Sequence, residues 1–262
     1  MKAPRVPTSK SEPARNVGEH LHLDLIILKS LSIGQNTVIV VVVDDKSNYI
    51  VGVPAKRKTS ANMLEATKDA ILEFNRYGHK VRKITTDDEI TLATLRRPLA
   101  ALGIDVSPTP AGLQEKKVER YIQTIKDRKR SMLAGLSYEL PAHLECEAYL
   151  DAMTWINRMP NTNVGPTTTP YQLVTHQRSF LPQYHFGQVG LFYSGTKEQR
   201  AEWGLFLGYG SSQRYLRAYI PTKRAIFSKR RFAPMAQVPS EWSFPTESVL
   251  RIYRNRNPVL CC

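Results

Sequence analysis

Three apolar, β-branched runs stand close together near the start of the chain, and they restrict its fold more than any other feature. They are "LHLDLIIL" (21–28), "TVIVVVVD" (37–44) and "YIVGVPA" (49–55), each bounded by turn residues. That composition fits strands, so a three-stranded meander is predicted. The apolar period then lengthens to 3.6 in "SANMLEATKDAILEFNRYG" (60–78), a helix with Ser60 as its expected N-cap and Gly78 as its stop. "KVRKITTD" reads as a strand, "EITLATLRRPLAALG" as a helix, "IDVSPTP" as a short strand, and "LECEAYLDAMTWINRMP" (144–160) as a further amphipathic helix. A meander followed by strand, helix, strand and helix predicts the α/β class, a mixed five-stranded sheet flanked by helices. The Pro/Thr/Asn-rich "MPNTNVGPTTTPYQ" predicts a boundary. After Phe186 the pattern shortens to strands and turns, as expected for a small all-β, barrel-like domain. The expected organisation is a linker of disordered composition over 1–17, a core over 18–160, a connection over 161–185, a β domain over 186–235 and a tail over 236–262.

A formal charge of +14 on 262 residues, with pI near 9.8, points to a polyanionic partner. Lys and Arg on phosphates release condensed counterions and steer association at long range. A membrane surface is disfavoured as that polyanion. No apolar run reaches spanning length, and "MKAPRVPTSKSEPARN" has no hydrophobic signal core, so the chain is expected to be soluble and intracellular. Cys146, Cys261 and Cys262 cannot build a disulfide framework, which fits a reducing compartment. His20 and His22 are followed by no Cys pair at zinc spacing and read as ordinary strand-flanking residues.

The strongly basic "QEKKVERYIQTIKDRKRSML" (114–133) predicts a helix with two distinct faces. At 100° per residue Val118, Ile122, Ile125, Met132, Leu133 and Leu136 face a core, while Glu119, Gln123, Lys126 and Arg130 line up beside them. A solvated amphipathic helix would give this pattern. So would a carboxylate held beside a ridge of cations that receives phosphates.

Two more acids fall at strand positions: Asp24 within the first apolar run and Asp87 at the end of "ITTD", with Asp88 beside it as an alternative or a helix cap. If their strands are neighbours, both carboxylates approach one sheet edge, and converging carboxylates raise one another's pKa unless cations neutralise them. Asp44 and Asp45, in "DDKSN", are better explained by a hairpin turn.

In order along the chain, "GEHLHLDLIIL", "VVVVDDKSNYIVGVPAK", "ITTDDE" and "VERYIQTIKDRKRSMLAGLSYELP" resemble the integrase catalytic core of copia-type LTR retrotransposon Pol polyproteins. "TPYQLVTHQRSFLPQYHFGQVGLFY", "EWGLFLGYG" and "YLRAYIPTKRAIFSKRRF" look like the segment that follows that core. The resemblance spans roughly residues 17–235 and implies an RNase H-like fold with a DDE triad. Matched position by position, it implies Asp24, Asp87 and Glu119 as catalytic residues and metal ligands, with Mg²⁺ or Mn²⁺, two ions, as cofactor. With Glu119 as a ligand, the basic face beside it is expected to meet DNA through Lys116, Gln123, Lys126 and Arg130; a second basic cluster at Lys229, Arg230 and Arg231 is interleaved with aromatics that fit DNA contact or a barrel core equally. Double-stranded DNA (element ends and target) would be the partner, and a homo-oligomer acting in the nucleus is implied. The activity implied is 3′ end processing and strand transfer. The alternatives are a catalytically inactive or domesticated remnant that binds DNA, and an RNase H-like nuclease acting on hybrids. The interval from Asp87 to Glu119 holds 31 residues, slightly shorter than the family pattern, and the family's Asn-Gly-Gly after the second Asp is "DEI" here.

Overall fold

A computed structural model describes residues 14–86, 89–108, 116–161, 164–179, 183–193, 201–210 and 215–235. The predicted meander is β1 (His20–Ile27), β2 (Val38–Asp44) and β3 (Ile50–Ala55), all antiparallel. Every residue of β2 is buried, as its uninterrupted apolar run requires in a strand covered on both faces. The chain continues through α1 (Ser60–Arg76), β4 (Lys83–Thr86), α2 (Glu89–Ala100) and β5 (Asp105–Pro108). Both β4 and β5 are parallel to β1, and the sheet order is β3-β2-β1-β4-β5. With helices on both faces this is an RNase H-like mixed sheet.

Strand alternation sends side chains into two cores. Leu21 and Leu23 of β1 join Met63, Ala70 and Phe74 of α1 and Leu95 and Leu99 of α2. On the opposite face Ile26 and Leu28 meet Val118, Ile122 and Ile125 of α3 (Lys116–Ala134) and Cys146, Tyr149 and Ala152 of α4 (Glu145–Arg158). The buried Lys129 of α3 places its Nζ 2.7 Å from Glu145 Oε1 and 4.0 Å from the centre of the Tyr149 ring. Glu145 Oε2 in turn accepts from the Lys29 N–H at 3.0 Å, so one carboxylate ties the exit of β1 to both helices.

Two local readings change. The N-cap of α1 is Thr59, not Ser60: Thr59 keeps extended backbone angles and its hydroxyl accepts from the Asn62 N–H. Thr59→Ala is expected to cost about 1 kcal/mol and Ser60→Ala only a few tenths; urea unfolding of the two variants checks this, and the reverse order would return the cap to Ser60. Gly78 does end the helix, at φ +82°. The segment read as a boundary contains a short helix, α5 (Pro170–Thr175), started by Thr169 and Gln172 bonding each other's backbone and by Pro170 at its first turn. Tyr171 and Val174 of α5 return to the first core.

The second sheet is antiparallel throughout: β6 (Val189–Tyr193), β7 (Glu202–Tyr209), β8 (Leu216–Ile220), β9 (Ala225–Lys229) and β10 (Arg231–Pro234), in the order β10-β6-β7-β8-β9. Only Arg230 separates β9 from β10, so one stretch of chain forms both edges and curls the sheet around Phe192, Phe206 and Phe232. Its other face packs through Val189, Leu205 and Leu207 onto Leu144 and Ala148. Among the described residues no helix is long and apolar enough to cross a membrane.

Candidate active site and nucleic-acid interface

The parallel pairing of β1 with β4 fixes the centre of the candidate site. The last described pair is Leu23 with Thr86, and Asp24 and Asp87 are the next residues along each strand. Asp87 itself, with Asp88, lies outside the described residues. Asp24 is half-buried opposite Val41 of β2, and its Oδ1 accepts from the Leu25 N–H at 2.7 Å. It shares strand parity with Ile26 and Leu28, which enter the α3 core, so its side chain belongs to the face that α3 covers. Glu119 is exposed in the first turn of α3, next to the fully buried Val118. Both described acids therefore lie on one side of the sheet. Carboxylate oxygens suit a hard divalent cation, and in this respect the donor set fits Mg²⁺ or Mn²⁺.

The predicted ridge forms along α3, with one addition. Gln123 Nε2 donates to Asp127 Oδ1 at 2.9 Å, and Arg130 Nη2 donates to the same oxygen. Asp127 thus offsets part of the ridge's charge, while Lys126 is exposed. The backbone of Lys116 opens α3, but its side chain is outside the description. In the second cluster Lys229 is buried, with its Nζ 2.7 Å from Glu202 Oε2, whereas Arg230 and Arg231 are exposed. Of the aromatics interleaved there, Tyr219 and Phe232 are buried, while Tyr215, just before β8, is exposed under the Arg230 guanidinium at 5.6 Å.

The "DDKSN" segment is a hairpin turn, as its composition suggests. The buried Asp44 accepts from the Gly18 N–H (2.8 Å), the Ser47 N–H (2.7 Å) and the Ser47 hydroxyl (2.6 Å). Burial nevertheless pushes its carboxyl pKa up. Asp45 does more than turn the chain. Its Oδ1 lies 3.1 Å from His22 Nε2 and 2.9 Å from Lys117 Nζ, and its Oδ2 accepts from the Ala14 N–H at 2.9 Å. The His22 bond, followed by the Ala14 N–H and Lys117, holds the Asp45 carboxyl well below the usual carboxylate range. His20, His22 and Asp45 bring one ligand atom each within 4.8 Å of one another, with His20 Nε2 2.7 Å from the Thr85 hydroxyl. A cation there would have to displace the Lys117 ammonium from Asp45. The i, i+2 spacing of the histidines was legible as one strand face, but Asp45 joins them only through the β1–β2 register, in which its N–H donates to the His20 carbonyl at 2.9 Å.

No family model and no curated protein matches the chain. Among solved structures it is similar to a simian T-cell lymphotropic virus intasome in complex with the PP2A regulatory subunit B56 gamma, at 15% identity and TM-score 0.47 over 86% of this chain and 84% of that one. It is similar to the HTLV-2 integrase catalytic core domain in complex with magnesium at 20% identity and TM-score 0.46, over 61% of this chain and 98% of that one. The catalytic core domain of BIV integrase gives 16% identity and TM-score 0.45, over 61% and 95%.

Proposed function

We propose that the chain is a metal-dependent polynucleotidyl transferase of the integrase class that trims a DNA 3′ end and joins it to target DNA. One observation carries the reading. Adjacent parallel strands are paired up to the residues directly before Asp24 and Asp87, and the helix bearing Glu119 lies over the Asp24 face. In this reading Asp24, Asp87 and Glu119 hold a pair of Mg²⁺ or Mn²⁺ ions, which would supply Lewis-acid stabilisation of the attacking and leaving oxygens during in-line displacement at phosphorus. Lys126 and Arg130 hold DNA phosphates beside the acids, with Lys116 near the start of the helix, and Gln123 touches a base or sugar. Arg230 and Arg231 extend the contact from the second sheet, whereas Lys229, buried and paired with Glu202, drops out of the predicted cluster. Copia-type ancestry, action as a homo-oligomer and a nuclear site of action belong to the same proposal, as does division of the chain at about residues 17, 160, 185 and 235.

The test is joining of a DNA end to a supercoiled target by the full chain with Mg²⁺ or Mn²⁺. Joining supports the reading. Salt-sensitive DNA binding without joining favours the inactive DNA-binding remnant, and cleavage confined to RNA–DNA hybrids favours a nuclease. Duplex binding also has an internal prediction. Lys126→Ala should lower the slope of log K against log salt by about 0.9, the value for one phosphate contact. Arg130→Ala should lower it by less, because Asp127 already engages that guanidinium. Equal slopes in wild type and Lys126→Ala would remove this ridge from the DNA path.

A further inference from the structure

The helix that carries Glu119 has a second basic flank, turned away from the ridge described above. Lys117, Arg120 and Arg128 lie near 200–280° on the helical wheel when Val118 is at 0°, whereas Glu119, Gln123, Lys126 and Arg130 lie near 80–140° (roughly, at 100° per residue). Their flank forms one wall of a groove of about 880 Å³ between α3, the β2–β3 turn and α4. Lys46 from the turn adds a fourth cation, and Trp155, Ile156 and Met159 of α4 form an apolar wall. Among the described residues Asp45 is the one carboxylate lining the groove, and it is already bound to Lys117. Lys46, Arg120 and Arg128 have no carboxylate within ion-pair distance among the described residues. Arg128 instead lies 5.0 Å over the Trp155 ring.

Cations facing an indole and aliphatic side chains, with Lys46 and Arg120 free of any carboxylate among the described residues and Arg128 shared with the buried Asp151, have the polarity of a nucleic-acid strand seen edge-on. Phosphates are anionic on one side, and bases present apolar π-faces on the other. A duplex hides those faces in its stack, so it could use the cations and leave the apolar wall without a partner. We propose that this groove binds a single-stranded nucleic acid, with backbone phosphates on Lys46, Arg120 and Arg128 and a base against Trp155. The site is separate from the proposed catalytic acids and does not depend on their activity. It would give a frayed DNA end or a displaced strand a path along the far side of α3.

The experiment measures binding of a fluorescein-labelled 12-nucleotide oligo(dT) to the full chain by anisotropy, in EDTA so that no metal chemistry contributes, over a range of salt. Lys46 and Arg120 are exposed, so the double variant Lys46→Ala/Arg120→Ala should fold normally. Its salt slope is expected to fall by about 1.4, two contacts at about 0.7 each for a single strand. Lys68→Ala/Lys80→Ala, at exposed positions on and after α1 across the sheet from α3, should leave oligo(dT) binding unchanged. Oligo(dT) should also quench tryptophan fluorescence, and the part of the quench due to Trp155 should be missing in Trp155→Phe while that variant's melting temperature is kept. An unchanged slope in Lys46→Ala/Arg120→Ala overturns the proposal. So does an equal fall in Lys68→Ala/Lys80→Ala, or a preference of the groove cations for duplex over single strand. Failure of end joining with intact oligo(dT) binding would remove the catalytic reading and leave this one standing.

Discussion

Glu119→Gln is expected to lower metal-dependent joining of a 3′ end to target DNA by on the order of 10³-fold, the equivalent of several kcal/mol of lost transition-state stabilisation. The substitution keeps the size and helix propensity of the side chain while removing the charge that a hard cation requires. Because Glu119 is exposed on α3, no buried contact is broken and the fold should be retained. The phosphate contacts proposed for Lys126 and Arg130 would remain, so DNA affinity should stay near wild type while the chemical step fails. Wild type and variant would be compared for joining and for binding at one salt concentration. Joining that survives in the variant removes Glu119 from the mechanism. Parallel loss of joining and binding would give it a structural role instead.

The second large effect concerns Asp151, where α4 meets the second sheet. The residue is buried, and its Oδ1 lies 3.0 Å from where a Cβ on Gly208 of β7 would stand. Burial raises its pKa from 3.8 to about 7, opposed by Arg128 of α3, Arg158 of α4 and Arg217 of β8 and by a hydrogen bond from Trp155. Arg217 is itself paired with Glu147 at 2.6 Å, which weakens its help. A folded-state pKa above the unfolded one means that the folded protein binds the extra proton. The associated stability is complete below about pH 4 and is lost as pH rises toward and through 7. Between pH 5.5 and pH 8 the wild type should lose about 2 kcal/mol from this group alone. Asp151→Asn, which cannot ionise, should lack that component and match or exceed wild-type stability at pH 8. Urea unfolding of both proteins at the two pH values isolates it, because every other titrating group cancels in the difference. Identical pH dependence would show that the three guanidinium groups keep Asp151 ionised.

The apolar run of β2 and the 3.6 period of α1 are local consequences of which side chains must leave water, and they were legible without coordinates. So was the two-faced character of α3, since Val118, Ile122 and Ile125 are buried as their spacing requires. The signal for α5 was present too: Thr169 three residues before Gln172, with Pro170 between them, is a helix-start pattern inside a stretch dominated by boundary residues. The choice between Ser60 and Thr59 was one of adjacent caps, settled by which residue kept extended backbone angles.

By itself the sequence determined the class of fold, the order of its elements and the placing of Asp24 and Glu119 on a strand and a helix, because periodicity reports burial within each element. Tertiary structure alone decided which distant groups meet. The β1–β2 register brought Asp45 beside His20 and His22, and the docking of α3 brought Lys117 onto the same carboxylate. It also decided that one flank of α3 would close a groove with Trp155, and that Asp151 would be enclosed with three arginines from three elements. No local pattern carries those distances, because they are set by strand register and helix packing between residues far apart in the chain.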